Sequence, residues 1–399
     1  MVKRAIGRLA ATGRGGWRRG WFGMKRRLRL LGEPMILPFT GHATPRMLWL
    51  KGRVLEDEGV VGAPPPRSTA AELWRTFLRY ETDEIAGARV AYEGAGTSGT
   101  FTVADDGYFQ LRLPNPDLSA ARDGWMSIEL TLLDAPGYRL PAEPVRAVAR
   151  VRVPGPAARF VVVSDIDDTI MHTGAEEMLR NWRIVISNSP QTRVAFPGVP
   201  EFYRALADGP DGVPDANPIF YVSSSPWNLY DLVEGFLHFK GIPKGPIFLR
   251  NLSRDWIDWL RRRHSAHKEP AIRDLLAAYP DMPFVLIGDS GQRDAEIYAR
   301  LAAEHPGRIR AVHIHEVRPV GAGRDVEEHL ARIDALGIPA TLGATLASAA
   351  DCAEALGLVA AGSAERVRRA MAARAEVPAG RDAGVAMAAA DEAKAGPSR

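Results

Sequence analysis

One cysteine, Cys352, stands in 399 residues. That excludes an internal disulfide framework and a cysteine-only metal site, and it points to a reducing, cytoplasmic setting. No apolar run reaches the ~18 residues expected of a membrane-spanning helix. No apolar h-region follows the early arginines, so no secretory signal is read. Acid is missing from Met1 to Leu31, which hold ten Lys or Arg. Without that arm the chain carries 41 basic against 48 acidic residues, a net charge of −7. The overall +3 therefore conceals a mildly acidic body behind a basic arm. Hydrophobic residues make up 46% and charged residues 25%, a globular balance that excludes disorder over the whole length. The length suggests two or three domains at ~150 residues each.

In the arm (1–32), Trp17, Trp21, Met24, Leu28 and Leu31 recur at spacings of four and three. On a helix they share one face, with Arg18, Arg19, Lys25, Arg26 and Arg29 elsewhere. That pattern suits peripheral contact with an anionic membrane surface through residues 1–31. A solvated or disordered tail is the plainer alternative, and Gly20 and Gly23 weaken a helix there by ~1 kcal/mol each. No nucleic-acid partner is expected.

Residues 35–153 are mainly strand-like. MLWLKGRVL, ARVAYE, GTFTVA, GYFQLRL, MSIELTLL and AVARVRV are short alternating runs separated by Gly, Asp and Pro clusters. This predicts a small β-rich, sandwich-like domain, an antiparallel sandwich or barrel, interrupted by one helical stretch, AAELWRTFLRY. From 156 to 360 the rhythm changes: apolar strands (RFVVVS, IFYVSS, IFLRNL, FVLIGD, IRAVHIHEV, IPATLG) alternate with helical stretches. Strand–helix alternation with buried-type strands predicts an α/β, doubly wound parallel sheet covered on both faces. Residues 361–399 read as an Ala-rich, mostly unpacked tail.

Ligands of such sheets bind beyond the carboxyl ends of the strands. The first strand, VVVS, ends in Asp165-Ile166-Asp167-Asp168-Thr169. Three carboxylates in four residues repel one another at a buried strand's end. A divalent cation with hard oxygen ligands, such as Mg²⁺, would relieve that cost; an acidic turn capping a helix is the bland alternative. The fourth strand, FVLIG, repeats the device with Asp289 and then Asp294. Asp289 would complete a metal site, with Asp294 supporting it or simply favouring a helix N-terminus. At the second strand's end, Ser225-Pro226 reads as a helix N-cap and N1 pair, which leaves Ser223 to bind an anion. Lys268 opens the third helix, where a cation opposes the dipole; a phosphate held between Lys268 and Asp165 would account for it.

In this order the pieces resemble the haloacid-dehalogenase-like (HAD-like) phosphohydrolases: Asp165-x-Asp167-x-Thr169, then Ser223, Lys268, and Asp289 with Asp294. The resemblance implies that Asp165 attacks phosphorus and forms an aspartyl-phosphate. Asp167 would protonate the leaving alcohol and later deprotonate water. Mg²⁺ would bridge Asp165, the Asp167 backbone carbonyl, Asp289 and the phosphate, while Ser223 and Lys268 take charge on the equatorial oxygens. SDIDDTI, PGVPEFYRAL, FYVSSSPWNLY, GIPKGPIFLRN, HKEPAI and LIGDSGQRDAEIYA resemble more narrowly the catalytic domain of the actin-patch phosphatidate phosphatase family, over about 159–317. Lipins share the Asp-Ile-Asp-x-Thr core but carry Gly where Asp168 stands. This resemblance implies Mg²⁺-dependent hydrolysis of phosphatidate to diacylglycerol and phosphate. A soluble phosphomonoester or phosphoprotein is the alternative substrate, and a non-catalytic membrane adaptor the third reading. No extended proline-rich tail is present to support an actin link.

Other signals point elsewhere. Gly94-Ala95-Gly96-Thr97-Ser98-Gly99 matches a dinucleotide fingerprint, but a strand follows where a cofactor site needs a helix. His313 and His315 share one strand face without further zinc ligands. His264 and His267 are candidates for phosphate or headgroup contact, or plain surface residues. Arg261, Arg262 and Arg263 read as a solvated basic face. Trp227 would line a lipid mouth or pack in the core. The segment between Ile170 and Phe196 is expected to cover the site.

Overall fold

The computed structural model describes residues 32–57, 84–167, 169–170, 196–250, 268–317 and 323–375. The basic arm, the helical stretch at 70–80, Asp168, the expected cover at 171–195, Arg261 to Arg263, His264, His267 and the tail beyond 375 lie outside them. The chain divides between Val153 and Pro154 into two compact units.

The first unit holds β1 (Glu33–Pro38), β2 (Gly41–Ala43), β3 (Met47–Asp57), β4 (Arg89–Gly94), β5 (Thr97–Thr102), β6 (Tyr108–Pro114), β7 (Trp125–Asp134) and β8 (Arg146–Arg152). Alternation decides which face each strand buries. In β7, Met126, Ile128, Leu130 and Leu132 point inward while Ser127 and Glu129 face out. The sandwich-or-barrel expectation narrows to one sheet. A single eight-stranded sheet, ordered β1-β3-β2-β8-β7-β4-β5 with β6 on β3, is hydrogen-bonded throughout. The reason is β3, whose 11 residues pair with β1, β2 and β6, while three-residue β2 carries the ladder on to β8. All pairs are antiparallel except β2 with β8. The sheet closes over one core, and Phe101 of β5 meets Phe109 of β6 at a ring separation of 4.9 Å. Ala95 and Gly96 both take positive φ (55° and 74°) between β4 and β5, as a two-residue hairpin turn requires. The glycine-rich signal is therefore a hairpin.

The second unit holds β9 (Val161–Asp165), α1 (Val199–Asp208), β10 (Ile219–Pro226), α2 (Tyr230–Phe239), β11 (Ile247–Arg250) and α3 (Lys268–Ala278). It continues with β12 (Phe284–Asp289), α4 (Asp294–Glu304), β13 (Ile309–His315), α5 (Gly323–Asp334), β14 (Ala340–Gly343), α6 (Ala347–Ala355) and α7 (Ser363–Ala375). Its six strands are all parallel, in the order β11-β10-β9-β12-β13-β14. The order reverses between β9 and β12, which places the ligand crevice at their carboxyl ends. Both strands are buried along their whole length. Period two sends neighbouring residues to opposite faces. Phe220 and Val222 join α3, α4 and α5 in one core, while Tyr221 stacks on Tyr203 of α1.

The expectation of an unpacked tail from 361 fails in its first turns. Residues Ser363–Ala375 form α7, with Ala364 and Val367 buried. At the start of α1, a Cβ on Gly198 (φ 83°) would sit 2.8 Å from Met371 of α7. That close approach requires the glycine.

Candidate active site

β9 ends at Asp165, whose side chain is buried. Ser164 anchors the strand tip from below: its Oγ donates to the Asp165 carbonyl at 2.6 Å and shares a hydrogen bond with the Tyr203 hydroxyl at 2.6 Å. Two residues on, Asp167 is also buried, and Thr169 Oγ1 lies 3.4 Å from Asp165 Oδ2. β12 delivers Asp289 beside them, with none of its surface exposed. The turn after it wraps the carboxylate: Oδ1 accepts the Gly291 and Gln292 N–H groups at 2.7 and 2.8 Å. Oδ2 is buried and has no hydrogen-bond partner among the described residues.

Lys268 opens α3 and is 2% exposed. Its Nζ lies 2.9 Å from Asp165 Oδ1 and 2.7 Å from Asp294 Oδ1. The sequence poses Lys268 as a helix start that opposes the dipole; two buried carboxylates are the compensation. Asp294 Oδ2 in turn accepts the Asp289 backbone N–H at 3.2 Å. Asp294 thus ties α3 to the tip of β12. Gly288 makes room for it, because a Cβ there would stand 2.6 Å from Asp294 Oδ2.

The charges are strongly perturbed. Burial pushes the Asp165 carboxyl well above the ordinary carboxylate range; Lys268 opposes that, while Asp294, Asp289 and Asp167 add to it. Asp289 is raised to about 7, by burial first and by Asp294 second. Burial pulls Lys268 down, but Asp165, Asp294 and Asp289 outweigh it, so the ammonium holds its proton above its usual value. Asp165, Asp167, Asp289 and Asp294 against Lys268 leave a formal excess of negative charge, which a divalent cation would relieve.

Carboxylate oxygens of these three aspartates lie within 4.8 Å of one another. Hard oxygen donors, the excess of negative charge and a buried Asp289 Oδ2 with no hydrogen-bond partner among the described residues fit a cation such as Mg²⁺. Asp294 has both oxygens engaged, by Lys268 and by the Asp289 N–H, so it supports the set rather than supplying a free ligand.

Ser223 stands at the site but not alone. Its Oγ donates to Asp167 Oδ2 at 2.6 Å, and Ser225 Oγ lies 3.3 Å from the same oxygen. The N-cap expected at Ser225 does not form. β10 runs on to Pro226, and the short helix Trp227–Leu229 has no side-chain cap. Trp227 is buried and stacks on Tyr230 at 6.2 Å, which favours core packing over a lipid mouth. Gln292 was not singled out by the sequence, yet its Nε2 lies 3.4 Å from both Asp165 Oδ2 and the Asp167 carbonyl. The Asp-Ser-Gly-Gln turn was its one signal. His313 and His315 are buried structural groups. The first pairs with Thr341 Oγ1 at 2.8 Å and is lowered to about 4 by burial; the second packs its ring against Phe196.

Residues 160–316 match the family model described as phosphatidate phosphatase APP1, catalytic domain. Over 154 residues the chain is 36% identical to phosphatidate phosphatase APP1 of Saccharomyces cerevisiae, covering 38% of this chain and 25% of that protein. An uncharacterized protein of Schizosaccharomyces pombe is 29% identical over 158 residues, 39% of this chain and 25% of its own length. The chain therefore spans about a quarter of the length of the curated relatives it matches. Among solved structures, a carbohydrate acetylesterase from Xanthomonas citri aligns over 78% of this chain and 68% of its own at 11% identity. Its TM-score of 0.26 carries no argument about fold. Among the described residues no helix is long and apolar enough to cross a membrane.

Proposed function

Residues 160–316 are related to the catalytic domain of phosphatidate phosphatase APP1, and from that premise we propose that this chain is a Mg²⁺-dependent phosphatidate phosphatase of the HAD-like type. The observation that carries the reading is the meeting of Asp165, Lys268 and Asp289 at the carboxyl ends of β9 and β12, with Lys268 Nζ 2.9 Å from Asp165 Oδ1. These residues come from positions 103 and 124 residues along the chain from Asp165. Such a gathering supports a site that handles an anion beside a carboxylate nucleophile.

In the proposed mechanism an Asp165 oxygen attacks phosphorus, and the bond to the ester oxygen breaks. The departing alkoxide takes a proton from Asp167, so the alcohol leaves neutral. Asp167 then takes a proton from water, and the hydroxide forms a new P–O bond. The aspartyl bond breaks, Asp165 is regenerated and inorganic phosphate leaves. Lys268 and Ser223 neutralise charge on the equatorial oxygens through both steps. Asp165, Asp289 and the Asp167 carbonyl would hold Mg²⁺, with Asp294 orienting the set; when bound, the cation supplies charge neutralisation.

Phosphatidate is favoured over a soluble phosphomonoester by the family relationship and by the basic arm, which would dock on the anionic surface where that lipid resides. Cytoplasmic placement with peripheral membrane contact follows from the same reading. The test is phosphate release from dispersed phosphatidate with Mg²⁺, beside a soluble phosphomonoester, with Asp165→Asn and EDTA controls. Release from the lipid, lost in both controls, is the expected result. Release from the soluble ester alone would overturn the lipid assignment and keep the chemistry.

A further inference from the structure

We propose that Ser225 is a positioning residue: its hydroxyl keeps hold of Asp167 when Ser223 turns to the substrate's phosphoryl group. The inference rests on the phosphatase reading above and adds a residue to it. Three contacts carry it. Ser223 Oγ donates to Asp167 Oδ2 at 2.6 Å. The same Oγ accepts the Ser225 backbone N–H at 2.9 Å. Ser225 Oγ points at the same Asp167 oxygen from 3.3 Å.

A serine hydroxyl has one proton to donate. Ser223 can give it to Asp167 or to a phosphoryl oxygen, but not to both at once. The Ser225 N–H occupies one lone pair of Ser223 Oγ in either case, so the hydroxyl swings about a fixed anchor. When that proton turns to the phosphoryl group, Asp167 Oδ2 loses its short partner. The second hydroxyl is already aimed at it.

The strand explains the pairing. Residues two apart on a strand tend to share a face, and Ser223 and Ser225 at the end of β10 both turn their hydroxyls to Asp167 Oδ2. Both hydroxyl-bearing residues are buried, where a polar group needs a partner. β10 has to continue past Ser225 to keep this geometry, and it does so to Pro226. A helix cap at Ser225 would spend the hydroxyl on a backbone N–H instead.

The experiment uses the full chain as wild type, Ser225→Ala, Ser225→Thr, Ser225→Cys and Ser223→Ala. Steady-state phosphate release is measured from dispersed phosphatidate and from a soluble phosphomonoester. Inhibition by inorganic phosphate is measured beside it. The expected result for Ser225→Ala is a loss in kcat of about tenfold or more, of the size a misplaced acid–base group produces. KM and the phosphate inhibition constant stay within about twofold of wild type, because Ser225 does not touch phosphate in this assignment. Ser225→Thr restores most of the rate. Ser225→Cys keeps the shape with a weak donor and shows the same kcat loss, which separates the hydroxyl's role from packing. Ser223→Ala weakens phosphate inhibition and lowers kcat together. An active wild type with an unaffected Ser225→Ala overturns this inference alone, as does a Ser225→Ala chain that loses phosphate inhibition like Ser223→Ala. A wild type silent on both esters removes the phosphatase reading and the inference with it.

Discussion

Asp294 holds Lys268 from across the crevice: Oδ1 accepts a hydrogen bond from Nζ at 2.7 Å, and neither side chain is more than 2% exposed. Removing one partner of a buried ion pair leaves the other uncompensated, at about 3–5 kcal/mol. Lys268 keeps Asp165 at 2.9 Å, so Asp294→Ala is expected to lower unfolding stability by less than that, about 1–3 kcal/mol, in a denaturant titration. Asp294→Asn keeps the shape and the contact to the Asp289 N–H, so its stability loss is smaller. Its turnover still falls, because Lys268 then answers to Asp165 alone.

Gly288 tests the same contact from the backbone. A Cβ at this position would meet Asp294 Oδ2 at 2.6 Å and its Cβ at 2.7 Å. Gly288→Ala should push Asp294 off Lys268 and cost about 1–3 kcal/mol by overpacking. Calorimetric titration with Mg²⁺ should show weaker binding as well, since Asp289 loses its backbone anchor. Unchanged stability and unchanged metal affinity would mean that the strand yields without disturbing Asp294.

Asp165→Asn should remain folded and lose turnover by about 10⁴-fold, the scale on which nucleophile removal is felt. Trapping with radiolabelled substrate should give an acid-stable phosphoenzyme in wild type and none in the variant. A variant that kept its rate would remove Asp165 as the nucleophile.

Proton linkage gives a further prediction. Asp289 in the fold titrates at about 7, above its ordinary 3.8. The fold binds that proton more tightly than the unfolded chain does, so without metal its stability falls as pH rises from about 4 to 7. A divalent cation needs the ionised carboxylate and must displace the proton below about pH 7. Mg²⁺ affinity should then climb by up to about tenfold per pH unit and level off above 7. Titration calorimetry in two buffers of different ionisation enthalpy would count the released proton; a flat affinity from pH 5 to 8 would contradict the linkage.

Neutralising Arg18, Arg19, Arg26 and Arg29 to Gln should weaken sedimentation with vesicles containing anionic lipid, at ~1 kcal/mol per basic residue near the surface. The difference should shrink in high salt. Kinetics on a soluble phosphomonoester should stay the same. Equal vesicle binding by both proteins would make the arm incidental.

Much of the site was legible because acids at the ends of apolar strands stand out. VVVSD and VLIGD are buried runs that finish in a charge, and a parallel sheet brings such tips to one crevice. Lys268 was legible for the opposite reason, as a cation where the helix dipole disfavours one. Ser225 was misread, because Ser-Pro before an apolar helical stretch has the pattern of a cap. The hydroxyl's true partner, Asp167, lies 58 residues upstream. Gln292 carried only the weak signal of its turn, and its contacts to Asp165 and Asp167 span more than 120 residues. The packing of Ser363–Ala375 was illegible because one Val and one Met among Ala and Arg show little periodicity of large apolar groups. The helix packs through Ala364 and Val367, which tertiary contact buries, and through Met371 beside Gly198.

By itself the sequence determined the strand–helix rhythm of the second unit, the strand alternation of the first, and which residue types end each buried strand. Those are properties of neighbours along the chain, governed by side-chain periodicity. Only the tertiary structure decided that β3 joins the first unit into a single sheet, that Asp294 spends both oxygens on Lys268 and Asp289, and that Asp289 Oδ2 is buried without a partner among the described residues. Each of these depends on groups far apart in sequence. Burial then sets their charge and hydrogen bonding, and burial exists only once the chain is packed.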